Sequence, residues 1–202
     1  MIPLGPEFVS LIVAPGWLGV VLLLGLVAAL AVLATALDRP RLAAPAIIVV
    51  GVGALGLALG FEARPAGLVA GLLPIAIALV GVVAGGPVSV LVLAAATRGG
   101  PPAGEHGGII VPVAGTAPAA GRTKQPTREV LRGGTTIGYL ERAVVIAAAL
   151  IGRWELVAAL IAVKGLGRFR DLDAGAATER FIIGTLVSTL WAGVCAALIV
   201  LG

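Results

Sequence analysis

The chain has 202 residues, of which 59% are hydrophobic and 12% charged, with a formal net charge of +4 and a mean hydropathy of +1.13. Soluble domains carry roughly 45–50% apolar and about 25% charged residues, and a domain this small leaves too much surface exposed to hide the excess. A water-soluble fold is therefore excluded, and an all-α integral membrane protein is expected.

A first apolar run covers residues 16–37, opened by Pro15-Gly16. Ala34-Thr35-Ala36 has the form of a signal-peptide cleavage site. No Lys or Arg precedes the run, however, and it is longer than a typical signal core, so a retained first span is expected. "DRPR" closes it, and residues 42–61 form a second run of the ~20 residues that a ~30 Å hydrocarbon layer requires. "EARP" is a short charged turn, with Pro65 suited to the start of the next helix. The third run, residues 66–96, is longer than one span needs. Gly85-Gly86-Pro87 should break or kink it, because proline removes a backbone donor, giving one kinked helix or a span plus a half-helix. Residues 1–96 thus make a three-helix membrane region.

Residues 97–132 change character. They are rich in Gly, Pro and Thr and lack periodicity, as a flexible cytoplasmic linker does. Residues 109–113 suit a short extended piece, with no evident strand to pair it. His106, the single histidine, stands in this segment without the companions a metal site needs.

Residues 133–202 make a second three-helix module. Runs 137–152 and 156–169 flank the turn "RWE" and measure only about 20–24 Å as helices, so they either recruit charged ends by snorkelling or form a hairpin that does not cross. Residues 181–201 form a full-length span. With six crossings and both termini outside, only Arg64 and Arg153 of the fourteen basic residues face outward, and the other twelve lie inside. That is a strong positive-inside bias. A plasma membrane is the expected location.

Charge within this module is the most specific feature. Around a turn at Gly152-Arg153, residues whose numbers sum to about 305 face each other, so Glu141 and Lys164 are expected at one depth as a structural ion pair. Snorkelling of Glu141 and Arg142 to the headgroups, and a carboxylate that handles protons or ligand, are the competing readings. Arg132, Arg142, Arg168, Arg170 and Arg180, with Arg128, gather on the inner side as candidate contacts for anionic lipid or phosphate; topology-setting charge is the plainer account. "LRGGTTIGY" offers backbone donors before a helix but lacks a P-loop ending.

Gly184, Ser188, Ala192 and Ala196 recur every four residues and suit helix packing. Gly56/Gly60, Gly67/Gly71 and Gly81/Gly85 repeat the spacing, and Trp191, near mid-membrane, reads as a packing residue. One cysteine, Cys195, allows no internal disulfide. No catalytic triad, paired intramembrane carboxylates, cofactor or metal pattern is present, so an enzyme is not expected.

The motifs "IGYLER", the apolar-Lys-…-Arg-Phe end of the hairpin, and "ERFIIGTL" carry a resemblance. Residues 131–198, about a third of the chain, are similar to the C-terminal part of bacterial, especially actinobacterial, integral membrane proteins of the DUF3307 group. The resemblance implies a membrane module and no particular chemistry. On these grounds a scaffold or accessory membrane subunit is expected first, a small-solute transporter or channel second, and a lipid-phosphate-handling protein third. The expected partners are the bilayer, its anionic lipids, and other membrane proteins or a second copy; nucleic acid is not expected.

Overall fold

The computed structural model describes residues 6–61, 65–96, 109–112, 127–130, 134–168 and 175–202. Helix α1 spans Pro6–Ala36, α2 Ala44–Ala58, α3 Leu68–Ala96, α4 Gly134–Leu150, α5 Glu155–Arg168 and α6 Gly175–Leu201. A four-residue 3-10 turn, Pro40–Ala43, leads into α2. By length and composition four segments can cross a membrane: Pro15–Ala36, Pro40–Ala58, Leu68–Ala96 and Thr178–Leu201. Helices α4 and α5, at 17 and 14 residues, fall short of that measure.

One boundary differs from the sequence reading: helix α1 starts ten residues earlier than expected and carries Pro15 inside it. Of the two forms expected for the third run, α3 takes the single helix, continuing through both Pro74 and Pro87 over 29 residues. A membrane-embedded helix tolerates proline when neighbouring groups or local adjustments accommodate the freed backbone.

Three helices end in the same way. Gly60, Gly152 and Asp38 have φ of +76°, +67° and +52°, each just past a helix C-terminus. At Gly152 the amide donates to the Ala149 carbonyl at 3.2 Å and the next amide, of Arg153, reaches back to Ala148 at 2.8 Å. This is the Schellman pattern, which satisfies carbonyls left open by the ending helix and reverses the chain. The tight α4–α5 connection follows from it.

Part of the 97–132 segment is ordered against expectation. Ile109–Pro112 (β1) pairs antiparallel with Thr127–Val130 (β2), in the register Ile109 to Val130. The extended piece does have a partner; it had no visible period because four residues are too few to show one. The flexibility expected for the rest of the linker lies outside the described residues.

The core runs along α1, α3 and α6, where Val27, Ala31, Val80, Ala84, Trp191 and Cys195 are buried. A second cluster joins Val145, Ile146 and Ala149 of α4 to Ala192 and Ala196 of α6. Directions follow from the glycines. A Cβ on Gly81 would lie 2.7 Å from Ile146 and 3.0 Å from Cys195, whereas one on Gly85 would meet Arg142 and Trp191. Advancing along α3 retreats along α4 and α6, so α3 is antiparallel to both.

Candidate functional site

Helix α4 places Glu141 and Arg142 side by side in sequence, and the helix sends them to different neighbours. Arg142 is 3% exposed. Its Nε donates to the Val82 carbonyl at 2.7 Å and its Nη1 to Ser188 Oγ at 3.0 Å. The guanidinium also lies 5.3 Å from the centre of the Tyr139 ring, within the range of a cation–π interaction. A cation sealed in an apolar interior costs several kcal/mol unless its donors are used, and here α3, α4 and α6 each contribute a partner.

Room for the side chain is made by glycine. A Cβ on Gly85 would collide with Arg142 Cδ and stand 2.7 Å from its Nε; one on Gly138 would stand 3.0 Å from Nη1. Gly86 borders the same slot, 3.8 Å from Nη2 by the same construction. Pro87 has no amide to return to the Val83 carbonyl, and Arg142 engages the carbonyl just before it, that of Val82. Ser89 donates to the Gly85 carbonyl at 2.7 Å, and Trp191 Nε1 donates to Val80 at 3.4 Å. The Gly85-Gly86-Pro87 stretch is therefore a receptor for an arginine.

Arg142 was expected at the lipid headgroups and is instead inside the bundle. The reason is steric as much as electrostatic: Gly85 leaves the space its stem fills, and Gly138 leaves room beside its guanidinium. Ser188 and Ala192 are buried on the α6 face that meets α4, and Gly184 lies near Leu93 of α3, 3.5 Å from a constructed Cβ. Trp191 is 8% exposed and packs in the core.

The other pair faces α5. Lys164 Nζ donates to Glu141 Oε2, with side chains 18% and 12% exposed respectively. Lys164 also sits 5.7 Å from the centre of the Phe181 ring. One ammonium thus touches α4 and α6 from α5. Nearer the turn, Val157 and Leu160 of α5 pack against the second cluster.

The remaining arginines are distributed differently. Arg132 and Arg170 lie outside the described residues, as does the side chain of Arg168, the last residue of α5. Arg180 is half-buried, and its Nη1 is buried without a hydrogen-bond acceptor among the described residues. Not every repeated glycine marks a seam. Gly60 and Gly67 have positive φ at helix ends, and nothing approaches a Cβ at Gly67 or Gly71 within 4 Å. Only the Gly81/Gly85 pair of those three lies against neighbouring helices. Among the described residues no cluster of His, Cys, Asp and Glu has the form of a metal site.

What this arrangement does chemically is join helices. The Gly85 receptor, invisible as such in the sequence, had one legible signal: two adjacent glycines before a proline in mid-helix, where a bulky cation had no other reason to be. No protein-family model, curated protein or solved structure matches the chain.

Proposed function

We propose that the chain is a multi-pass cell-membrane protein with six crossings, arranged 3 + 3 around residues 97–132, that serves as a structural or accessory subunit. The observation that carries this reading is Arg142. This charge, 3% exposed, donates to Val82 of α3 and Ser188 of α6. Its task is to hold the residues 1–96 region against the residues 133–202 module. The antiparallel relation of α3 to α4 and α6 is what alternate crossings require, and the positive-inside bias supports termini outside. Four helices long and apolar enough to cross a membrane support a membrane protein, and a bacterial plasma membrane is the location that the resemblance read from the "IGYLER" and "ERFIIGTL" motifs would imply.

Two experiments test the reading. For topology, impermeant thiol reagent should label Arg64→Cys and Arg153→Cys in intact cells and spare Arg41→Cys; the reverse pattern overturns it. For role, in-cell crosslinking should recover one membrane protein with the full chain in near-equal amount, and less with Arg142→Gln. Solute flux through the purified chain alone in vesicles would overturn the accessory role in favour of transport. A lipid-phosphate role has one observation in its favour, the buried Arg180 Nη1, which meets no acceptor among the described residues. A phosphate oxygen at the inner headgroup level would satisfy that donor.

A further inference from the structure

Arg142 joins the middles of three helices. It is the middle residue of α4, as Val82 is of α3 and Ser188 of α6. Helices α3 and α6 are each long and apolar enough to cross a membrane, and a helix centre is the part furthest from either headgroup layer. The guanidinium therefore lies deep in the hydrocarbon region, where charges are rare and turn to a partner or a polar cavity.

No carboxylate answers that charge. Among the described residues the ion pairs are Arg153–Glu155 and Lys164–Glu141, so the acid next to Arg142 in sequence is taken by α5. The partners that Arg142 does have are the Val82 carbonyl, the Ser188 hydroxyl and the Tyr139 ring, and all three are neutral. Dipoles satisfy donors but leave the net charge in place. At the low dielectric of a bundle interior, an opposite charge in contact is worth far more than it is in water.

The side chain also has one arm to spare. Nε and Nη1 are engaged, whereas Nη2 donates to nothing among the described residues. Glycines frame that arm. A Cβ on Gly86 would stand 3.8 Å from Nη2 and, its chain neighbours aside, within 4 Å of no other side chain. A Cβ on Gly138 would stand 3.6 Å from the same nitrogen. Both glycines are half-buried, so Nη2 borders a narrow space walled by backbone and not by side chains. Gly86 lies ten residues from the end of α3 at Ala96, about 15 Å at helix rise. That is too deep for a phospholipid headgroup, which is tied to its own surface, and too narrow for a bulky solute.

We propose that Arg142 holds a small inorganic anion of halide size, chloride being the commonest, on Nη2 between Gly86 and Gly138. The ion supplies the negative charge that the three neutral partners do not, and it makes the α3–α4–α6 joint anion-dependent. This goes beyond the accessory role and needs only these three helices together, whatever the number of crossings.

The test uses the purified full chain in dodecyl maltoside with sodium gluconate, whose anion is too large for the space. Radiolabelled chloride is added by equilibrium dialysis at constant ionic strength. The wild-type chain should bind chloride saturably, one ion per chain, and its thermal unfolding midpoint should rise as chloride replaces gluconate. Gly86→Ala places a Cβ at ordinary contact distance from Nη2 and leaves the bonds to Val82 and Ser188 in place. It should fold and lose chloride affinity by about tenfold or more. Arg180→Gln removes the other half-buried arginine and should bind chloride as the wild type does. Absence of saturable chloride binding by the wild-type chain overturns the proposal. So does binding that survives Gly86→Ala unchanged, or that is lost with Arg180→Gln, because the ion then sits elsewhere.

Discussion

Helix α4 presents two seams, and they are built on opposite principles. Toward α3 and α6 it packs through absent side chains: Gly81, Gly85 and Gly138 let backbones and the Arg142 stem approach where any Cβ would intrude. Toward α5 it packs sparsely and relies on Lys164, which reaches Glu141 and the Phe181 ring. The first seam is specified by shape and tolerates nothing larger; the second is specified by charge and leaves most of α5 exposed. In a bilayer, where lipid tails remove the usual hydrophobic drive between helices, close packing and polar contacts are the two available means of association. This chain uses one on each side of the same helix.

Substitutions should separate the two seams. Gly85→Leu should have the largest effect, because the new side chain occupies the Arg142 slot and approaches Trp191 as well. A loss of about 3 kcal/mol or more and failure to purify as a single species by size exclusion are expected. Glu141→Gln or Lys164→Met should cost about 1–3 kcal/mol by leaving a partly buried charge alone, and the pair together should cost less than their sum. Thermal unfolding of the three variants measures this, and additive losses would show the two groups to be uncoupled.

Ser188→Ala removes one acceptor from Arg142 but leaves the Val82 carbonyl and the Tyr139 ring, so a loss of about 1 kcal/mol is expected. Arg153→Ala should change stability by less than about 0.5 kcal/mol, since its ion pair with Glu155 is exposed. Equal losses from Ser188→Ala and Arg153→Ala would erase the contrast between inner and outer charges.

The two seams also differ in how far the sequence disclosed them. The Glu141–Lys164 pair is local: a glycine able to take φ of +67° fixes a tight turn, and the turn fixes the register of everything near it. Simple counting across Gly152 therefore places the two charges together. Arg142 meets partners 60 and 46 residues away, and no count along the chain relates it to Gly85. Its expected site, the headgroups, is where a long basic side chain goes when no slot exists. Small-residue spacing was similarly ambiguous. Ser188 and Ala192 lie on a seam, whereas Gly60 and Gly67 share that spacing and serve as helix ends, because glycine is favoured equally by close packing and by positive φ. The β1–β2 pairing was illegible for a plainer reason, as four-residue strands carry no readable alternation.

If Gly85 admits the Arg142 side chain, one double-mutant cycle shows it. Gly85→Ala, Arg142→Ala and the combination are compared by thermal unfolding of the purified full chain. Strong non-additivity is expected, with Gly85→Ala costing far more beside Arg142 than beside the alanine that replaces it. Equal cost of Gly85→Ala in both backgrounds would contradict it.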